Sequence, residues 1–236
     1  MNNRFSYRIL PCILVIFNLL LVFNVSGHAQ SVSNKREPFE FKPVDKLKMM
    51  LENPRRIQAQ QPDRVIAAFG VKKGESIADI GAGTGFYAFR LAEKVGVEGK
   101  IFAVEIQDEL LKFISENMER ENVKNIVLVK SSESDPNLPP QSCDKILVAN
   151  SYYYFKEPVK FMSHLRKAIK PEGRVAIIDL DATKRTKKPL NKAINKHREI
   201  LTADQLIDEM KQAGFQFIES FDFHDKRFFL VFRAVD

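Results

Sequence analysis

A glycine-rich turn is the feature that most constrains the fold of this chain. A short apolar run ends at Asp79-Ile80, and Gly81-Ala82-Gly83-Thr84-Gly85 follows before a helical pattern begins. Glycines at alternate positions let the backbone turn sharply off a strand, admit a ligand without a Cβ in the way, and aim helical N–H groups at a polar group. The order of strand, glycine turn and helix predicts an α/β fold with a ligand site at the turn.

The remaining pattern predicts the rest of the sheet. Helical periodicity alternates with short β-branched runs from Asp45 onward, and two short helices, at 45–51 and 62–69, are expected before the first strand. The last two predicted strands, 215–222 and 227–235, are joined by a link so short that it forces a hairpin. We therefore predict an α/β protein with a three-layer Rossmann-like sandwich, a mostly parallel seven-stranded sheet and an antiparallel C-terminal hairpin.

Length and composition favour one domain behind an N-terminal segment. The 236 residues are 44% hydrophobic and 28% charged, which excludes collagen, coiled coil and wholesale disorder. Residues 30–44 are predicted to be a linker and residues 45–236 a single domain. Cys12 and Cys143 cannot form a disulfide framework, and the scattered histidines offer no metal-ligand spacing.

The first 29 residues predict an export signal or a membrane anchor. Arg4 and Arg8 precede a nearly unbroken apolar run over residues 9–25, and the small residues Gly27 and Ala29 follow it. This order fits a secretory signal peptide cleaved after Ala29. The run also reaches the lower limit for crossing a bilayer, so an uncleaved anchor is the alternative. We expect an exported, periplasmic protein or a membrane-anchored one, and a cytoplasm-facing anchored domain is also compatible with the flanking charges.

The positive charge of the chain is concentrated in one stretch. The net charge is +7, yet seven basic residues and no acidic residue lie between Ala182 and Arg198. Such a stretch could contact an anionic acceptor or a membrane surface, and a solvated loop is the simpler interpretation. The sequence contains no separate RNA-binding domain and no aromatic-basic platform, so we expect no nucleic-acid partner.

Acidic residues around the glycine turn indicate what the ligand is. A G-x-G-x-x-G dinucleotide site would require glycine where this chain has Phe86. Asp79 stands two residues before the first glycine, where a fixed carboxylate would repel a pyrophosphate but attract a cation. Glu105 ends the second predicted strand, 24 residues after Gly81, where such folds place the carboxylate that accepts ribose hydroxyls. A ribose joined to an amino-acid cation satisfies both carboxylates.

These residues resemble the glycine motif and second-strand acid of the class I S-adenosylmethionine-dependent methyltransferases, and the resemblance covers nearly all of residues 45–236. It implies S-adenosylmethionine as the cofactor. Several motifs further resemble a group of small bacterial methyltransferase-domain proteins. These motifs are Asn53-Pro54-Arg55-Arg56, Gln60-Gln61-Pro62, Asp135-Pro136, Tyr152-Tyr153-Tyr154-Phe155 and Phe228-Phe229-Leu230-Val231-Phe232.

The resemblance also implies roles for individual residues. Asp79 and the glycine turn would hold the methionine end, Glu105 the ribose, and Asn150 would face the methyl group. Ile106 would pack on the adenine, with Ser132 and Glu133 near its exocyclic amine. The full expected cofactor-binding set is Asp79, Gly81, Ala82, Gly83, Gly85, Glu105, Ile106, Ser132, Glu133 and Asn150. The residues expected to face the acceptor are Tyr152, Tyr153 and Tyr154, although an aromatic run after a strand also suits plain packing.

The chain departs from the family pattern at the expected reaction centre. Relatives usually carry an acid and two histidines after the fourth strand, where this chain has Asn150 and the tyrosines, so no catalytic base is assigned. Methyl transfer from a sulfonium depends mainly on alignment, and the leading hypothesis is a methyltransferase for a small-molecule or lipid-like acceptor. The alternatives are a protein isoaspartyl-type carboxyl methyltransferase and an exported binding protein that keeps the fold without catalysis.

Overall fold

A computed structural model describes residues 44–184 and 200–235. The predicted signal segment, nearly all of the linker, and every residue of the basic stretch after Lys184 lie outside these ranges. Within them, no helix is both long enough and apolar enough to cross a membrane. The helices are α1 Val44–Leu51, α2 Arg55–Gln60, α3 Pro62–Ala68, α4 Ala88–Val95, α5 Asp108–Glu121, α6 Pro158–Ala168 and α7 Ala203–Gln212, with a 3-10 turn at Tyr152–Tyr154. The strands are β1 Ser76–Ile80, β2 Lys100–Glu105, β3 Ile126–Lys130, β4 Cys143–Ala149, β5 Ile169–Leu180, β6 Phe215–Ser220 and β7 Arg227–Ala234.

The seven strands form one sheet in the order β3-β2-β1-β4-β5-β7-β6. Strands β1 to β5 pair in parallel, whereas β7 is antiparallel to both of its neighbours, β5 and β6. The predicted fold class is therefore confirmed. The strand order reverses between β1 and β4, and in open α/β sheets the crevice at the carboxyl ends of such strands is where ligands bind.

Chain order alone would place β6 next to β5 and β7 at the edge of the sheet, but the structure has the reverse order. Strand β7 lies inside the sheet and β6 forms its edge, because Phe228 to Phe232 are all buried. A continuous apolar run suits a strand covered by helices on both faces. The edge strand instead leaves Phe217 and Ile218 more than one-third exposed.

Three short helices lead into the sheet, one more than the sequence predicted. The additional helix is α2, which ends where Gln61 adopts a left-handed backbone conformation with φ 46°. The next helix, α3, begins at Pro62, a position that suits proline because its missing N–H would be unpaired there in any case. The side-chain amide of Gln61 donates to the carbonyl of Phe223 at 3.0 Å. This contact ties the N-terminal helices to the β6–β7 hairpin at the carboxyl edge of the sheet.

The inner position of β7 has a measurable consequence. Phe229 is fully buried and packs on Phe221 and Phe223 at ring-centroid distances of 4.8 and 5.9 Å. We expect Phe229→Ala to lower the free energy of unfolding by about 3 to 5 kcal/mol, because it leaves a cavity in the core. Phe217→Ala removes the same ring from the edge strand and should cost less than about half as much. Urea denaturation followed by circular dichroism measures both, and equal losses would contradict this strand order.

Candidate active site

A cavity of about 380 Å³ opens at the carboxyl ends of β1, β2 and β4, where the strand order reverses. The glycine turn, the segment after β4, the N-terminal helices and the first residue of β7 all contribute to its walls. Seven of the ten predicted cofactor residues line this cavity: Gly81, Gly83, Glu105, Ile106, Ser132, Glu133 and Asn150.

The other three predicted residues, Asp79, Ala82 and Gly85, lie behind the cavity wall. Asp79 and Ala82 are 2% and 5% exposed. A Cβ on Gly85 would meet the ring of Phe89 at 2.7 Å, so this glycine lets α4 pack closely against the turn. Gly85 therefore serves helix packing in this structure, and its role in cofactor binding stays a prediction.

The first glycine of the turn is required by a close approach to the segment after β4. Gly81 has φ 71°, and a Cβ there would lie 2.8 Å from the Cβ of Ser151 and closer still to its hydroxyl oxygen. Its own N–H donates to the carbonyl of Val104 in β2 at 2.8 Å. The turn is therefore held between β2 and β4, with no room for a side chain.

Glu105 fastens the turn to the end of β2. One carboxylate oxygen accepts the N–H of Gly83 at 2.9 Å, and the other accepts those of Ile106 and Gln107 at 2.8 and 3.0 Å. Burial raises the pKa of Glu105, and the three hydrogen bonds oppose that shift. A carboxylate has about four acceptor positions, so Glu105 can accept a further donor from a ligand in the cavity.

Unpaired buried polar atoms gather at one end of the site. Buried polar groups in folded proteins are nearly always paired, and a concentration of unpaired ones indicates a place for a polar ligand or ordered water. Three of these residues line the cavity and the other two lie directly beside them. Of the nine such atoms in the described part of the chain, the five at the site are Arg56 Nε, Gln60 Oε1, Asn150 Nδ2, Asp79 Oδ2 and the Tyr87 hydroxyl.

Asp79 and Arg56 carry opposite charges and interact electrostatically without forming an ion pair. Burial raises the pKa of Asp79 to about 7, while Arg56 and the N–H of Ala88 oppose the shift. Burial likewise lowers the pKa of Arg56, and Tyr87 and Asp79 oppose that change. In the described part of the chain, no carboxylate lies within the 4.0 Å ion-pair distance of the Arg56 guanidinium. Each charge is thus largely removed from water without a direct partner.

Arg227 is a site residue that sequence reasoning missed. It begins β7, lines the cavity, and donates from Nε to Oδ1 of Asn150 at 2.8 Å. None of the described carboxylates forms an ion pair with it. Arg227 stands 77 residues after Asn150 in the chain, and only the antiparallel pairing of β7 with β5 brings it to this edge. No sequence pattern near Arg227 predicts that it lines the cavity.

The sequence could have identified three further residues of this region, but no role was predicted for them. Arg56 and Gln60 lie in motifs that carry the family resemblance, and both line the cavity. Asp179 stands at the carboxyl end of β5, which is where an α/β sheet places its functional side chains. It is 3% exposed, and burial raises its pKa to about 7.

The three tyrosines after β4 divide into two groups. Tyr153 and Tyr154 line the cavity, and that they face an acceptor stays a prediction. Tyr152 is 2% exposed, and its hydroxyl donates to a carboxylate oxygen of Glu209 in α7 at 2.8 Å. Contrary to the prediction, Tyr152 fastens the 3-10 turn to α7 and does not face the cavity.

No histidine lines the cavity among the described residues. His224 lies nearby in the β6–β7 hairpin and is 4% exposed, with both ring nitrogens unpaired. Burial and the neighbouring cations Arg227 and Lys184 lower its pKa to about 4, so its ring is neutral at ordinary pH. Within the described ranges, no group of three or more His, Cys, Asp or Glu side chains is arranged to hold a metal ion.

The arrangement suits one elongated ligand and a second small molecule. Ile106, Leu110 and Phe161 contribute apolar surface to the cavity, and Glu105 contributes a hydrogen-bond acceptor. Arg56 and Arg227 contribute positive charge, and the buried carboxyl of Asp79 interacts with Arg56 from behind the wall. A ligand with a flat base, a pair of hydroxyls and a charged end would match the apolar surface, the acceptor and the charges.

Comparison with known proteins shows similarity to methyltransferases. A sequence model described as "Methyltransferase domain" matches residues 71–222. The chain is 23% identical over 109 residues to a demethylmenaquinone methyltransferase of Listeria welshimeri, covering 46% of each protein. It is 26% identical over 117 residues to a ubiquinone/menaquinone biosynthesis C-methyltransferase, UbiE, of Francisella tularensis subsp. novicida, covering 49% of this chain and 47% of that one. The match thus spans about half the length of these curated relatives.

A solved structure extends the likeness over most of the chain. The crystal structure of a SAM dependent methyltransferase from Aquifex aeolicus superposes with a TM-score of 0.74 and 28% sequence identity. The superposition covers 83% of this chain and all of that one. The similarity therefore includes the sheet and the edge that carries the cavity.

The close approach at Gly81 can be tested with a matched glycine. Gly74 also has a positive φ, but a Cβ there meets nothing within 4 Å. We expect Gly74→Ala to cost about 1 kcal/mol of folding free energy from backbone strain, and Gly81→Ala about 2 kcal/mol more because it also collides with Ser151. Adding Ser151→Gly to Gly81→Ala should recover part of the loss. Equal losses at the two glycines in urea denaturation would contradict the contact.

The buried carboxyl of Asp79 predicts a pH-dependent stability. Its pKa rises from 3.8 to about 7 on folding, so between these values the folded protein binds a proton that the unfolded chain releases, and stability falls as pH rises. Asparagine mimics the protonated form. Asp79→Asn should therefore be a few kcal/mol more stable than wild type at about pH 8, and the difference should vanish near pH 4. Asp63→Asn, an exposed change in α3, is the control, and a pH-independent difference for Asp79→Asn would refute the assignment.

Proposed function

Because the chain belongs to the methyltransferase-domain family, we propose that it transfers the methyl group of S-adenosylmethionine to a small aromatic acceptor of the quinol type. That the protein is an S-adenosylmethionine-dependent methyltransferase follows from the family match and from the solved relative. The observation that carries the proposal about its site is one cavity that combines the Glu105 carboxylate, apolar surface and buried polar atoms without hydrogen-bond partners.

The residues present fit this cofactor. Glu105 has a free acceptor position for the ribose hydroxyls, and Ile106 would pack on the adenine, with Ser132 and Glu133 at the edge of the base. When bound, S-adenosylmethionine supplies an electrophilic methyl group on a sulfonium. Asn150 would lie beside that methyl group, since it is fixed at the end of β4 by its hydrogen bond to Arg227.

The acceptor end favours a flat molecule that carries an acidic hydroxyl. Tyr153 and Tyr154 would pack on the ring of the acceptor, and Arg227 would hold its oxygen. A nearby cation without a carboxylate partner stabilises a phenolate relative to a phenol, so this site can activate an acceptor without a histidine base. The names of the Listeria and Francisella relatives place those proteins in quinone biosynthesis, and this supports a quinol-like acceptor here.

We further propose that the protein works at a membrane. The apolar run over residues 9–25 supports either export or anchoring. If the segment is kept as an anchor, a lipid-like acceptor would reach the cavity from the bilayer on which the domain is held.

Cofactor binding is tested by calorimetry on the full-length chain. We expect wild type to bind S-adenosylmethionine with micromolar affinity and Glu105→Ala to weaken binding about 10-fold to 100-fold, because it removes a charged hydrogen-bond acceptor and loosens the glycine turn. Glu109→Ala, an exposed acid at the start of α5, is the control and should leave the affinity unchanged. A folded wild-type protein that fails to bind would refute the assignment of this cavity to the cofactor.

Acceptor class is tested separately with radiolabelled S-adenosylmethionine. A short-chain demethylmenaquinone reduced to its quinol should accept label from wild type, and Arg227→Ala should reduce the rate at least about 10-fold through loss of a charged contact. The same quinone kept oxidised is the matched control, since it lacks an ionisable hydroxyl. Cofactor binding without transfer to any quinol of the series would rule out the acceptor class while leaving the cofactor site intact.

A further inference from the structure

We propose that Arg56 recognises the carboxylate of the cofactor's amino-acid end, so that Arg56 and Asp79 together form a clamp for a zwitterion. This inference rests on the proposed function, since it concerns the same cavity. The family resemblance assigns the methionine end to Asp79 and the glycine turn, and it gives Arg56 no role. The proposal therefore adds a binding residue from outside the glycine motif.

Arg56 is held in place before any ligand arrives. Its Nη1 donates to the carbonyl of Leu51 at 2.9 Å, and its guanidinium lies over the ring of Phe86, 4.0 Å from the centroid. These two contacts fix the plane of the guanidinium at the cavity wall. Its Nε remains buried and unpaired among the described residues. A fixed planar guanidinium with free donors is the protein group best matched to a carboxylate.

Asp79 supplies the complementary charge. Its Oδ2 is buried and unpaired, although its other contacts include the N–H of Ala88. Arg56 acts on Asp79 through the electric field, yet the two do not form an ion pair within 4.0 Å. Charges removed from water without a partner are costly. A zwitterion at this end of the cavity would pair its carboxylate with Arg56 and place its ammonium at the glycine turn, in the field of the Asp79 carboxyl behind the wall.

The cavity contains a second arginine that could compete for the carboxylate. Arg227 lies at the end of the site next to Asn150, and its Nε is already committed to Asn150 Oδ1. Arg56, in contrast, is coupled to Asp79, which precedes the glycine turn. The amino-acid end belongs beside that turn, so the geometry favours Arg56 for the cofactor and leaves Arg227 for the acceptor.

The test pairs one change in the protein with one change in the ligand. S-adenosylmethionine and its decarboxylated form differ only in the carboxylate, and calorimetry on the full-length chain measures both. Arg56→Ala should weaken binding of S-adenosylmethionine about 10-fold to 100-fold. Binding of the decarboxylated form should be unchanged or slightly tighter, because removing a cation favours a more cationic ligand. Such a cycle isolates the contact between Arg56 and the carboxylate.

Three variants control for structural effects. Arg55→Ala removes the same charge from the exposed neighbour in α2 and should leave both affinities unchanged. Arg56→Lys keeps the charge but not the planar fork, and should give a smaller loss confined to S-adenosylmethionine; it also provides the measurement if Arg56→Ala does not fold. Asp79→Asn should weaken both ligands, because both carry the ammonium.

The outcomes separate this inference from the proposal on which it rests. Equal losses for the two ligands with Arg56→Ala would overturn the role of Arg56, as would an undiminished affinity for S-adenosylmethionine. A carboxylate-specific loss that appears instead with Arg227→Ala would assign the contact to the other arginine. If the wild-type protein binds neither ligand, the proposed function fails, and Arg56 is not the cause.

Discussion

The site depends on the carboxylate of Glu105, which joins the glycine turn after β1 to the segment that follows β2. Its hydrogen bonds to Gly83, Ile106 and Gln107 hold the glycine turn against the end of β2. The N–H groups of Gly81 and Ala82 both donate to the carbonyl of Val104, one residue earlier on the same strand. The turn after β1 is thus built on β2, and its shape cannot change without breaking these bonds. A ligand that hydrogen-bonds to Glu105 uses a group whose position the fold has already set.

The charges of the site are maintained at the expense of stability. Asp79 and Asp179 are both almost completely buried, and burial raises the pKa of each to about 7. A core built for stability alone would not place two carboxyls there, since apolar residues of similar size avoid the desolvation cost. Both stand at the carboxyl ends of central strands, beside Arg56 and Arg227 respectively. Buried carboxyls with raised pKa values at one edge of a sheet are typical of sites selected for binding or chemistry.

The sequence predicted the features that depend on local order and missed those that depend on strand placement. The glycine turn and Glu105 follow from spacing, because a strand, a turn and the next strand end fix them relative to one another. Arg227 reaches the cavity only because β7 inserts between β5 and β6, which a hairpin pattern does not specify. Tyr152 and Tyr153 are adjacent in sequence but face different ways, since a 3-10 turn rotates successive side chains around its axis. Such orientations cannot be read from a run of identical residues.

The cofactor end and the acceptor end of the site are held together by different kinds of contact. The residues that face the proposed cofactor come mainly from the ends of β1 and β2, which are joined by parallel pairing and the bonds of Glu105. Those at the acceptor end come from the segment after β4 and the start of β7, which meet through the side-chain contact of Arg227 with Asn150. Side-chain contacts can be exchanged without disturbing the sheet, whereas ladder hydrogen bonds cannot. The residues around Arg227 and Asn150 can therefore change while the glycine turn is kept, and in the proposed function acceptor specificity resides in elements that lie outside the glycine motif.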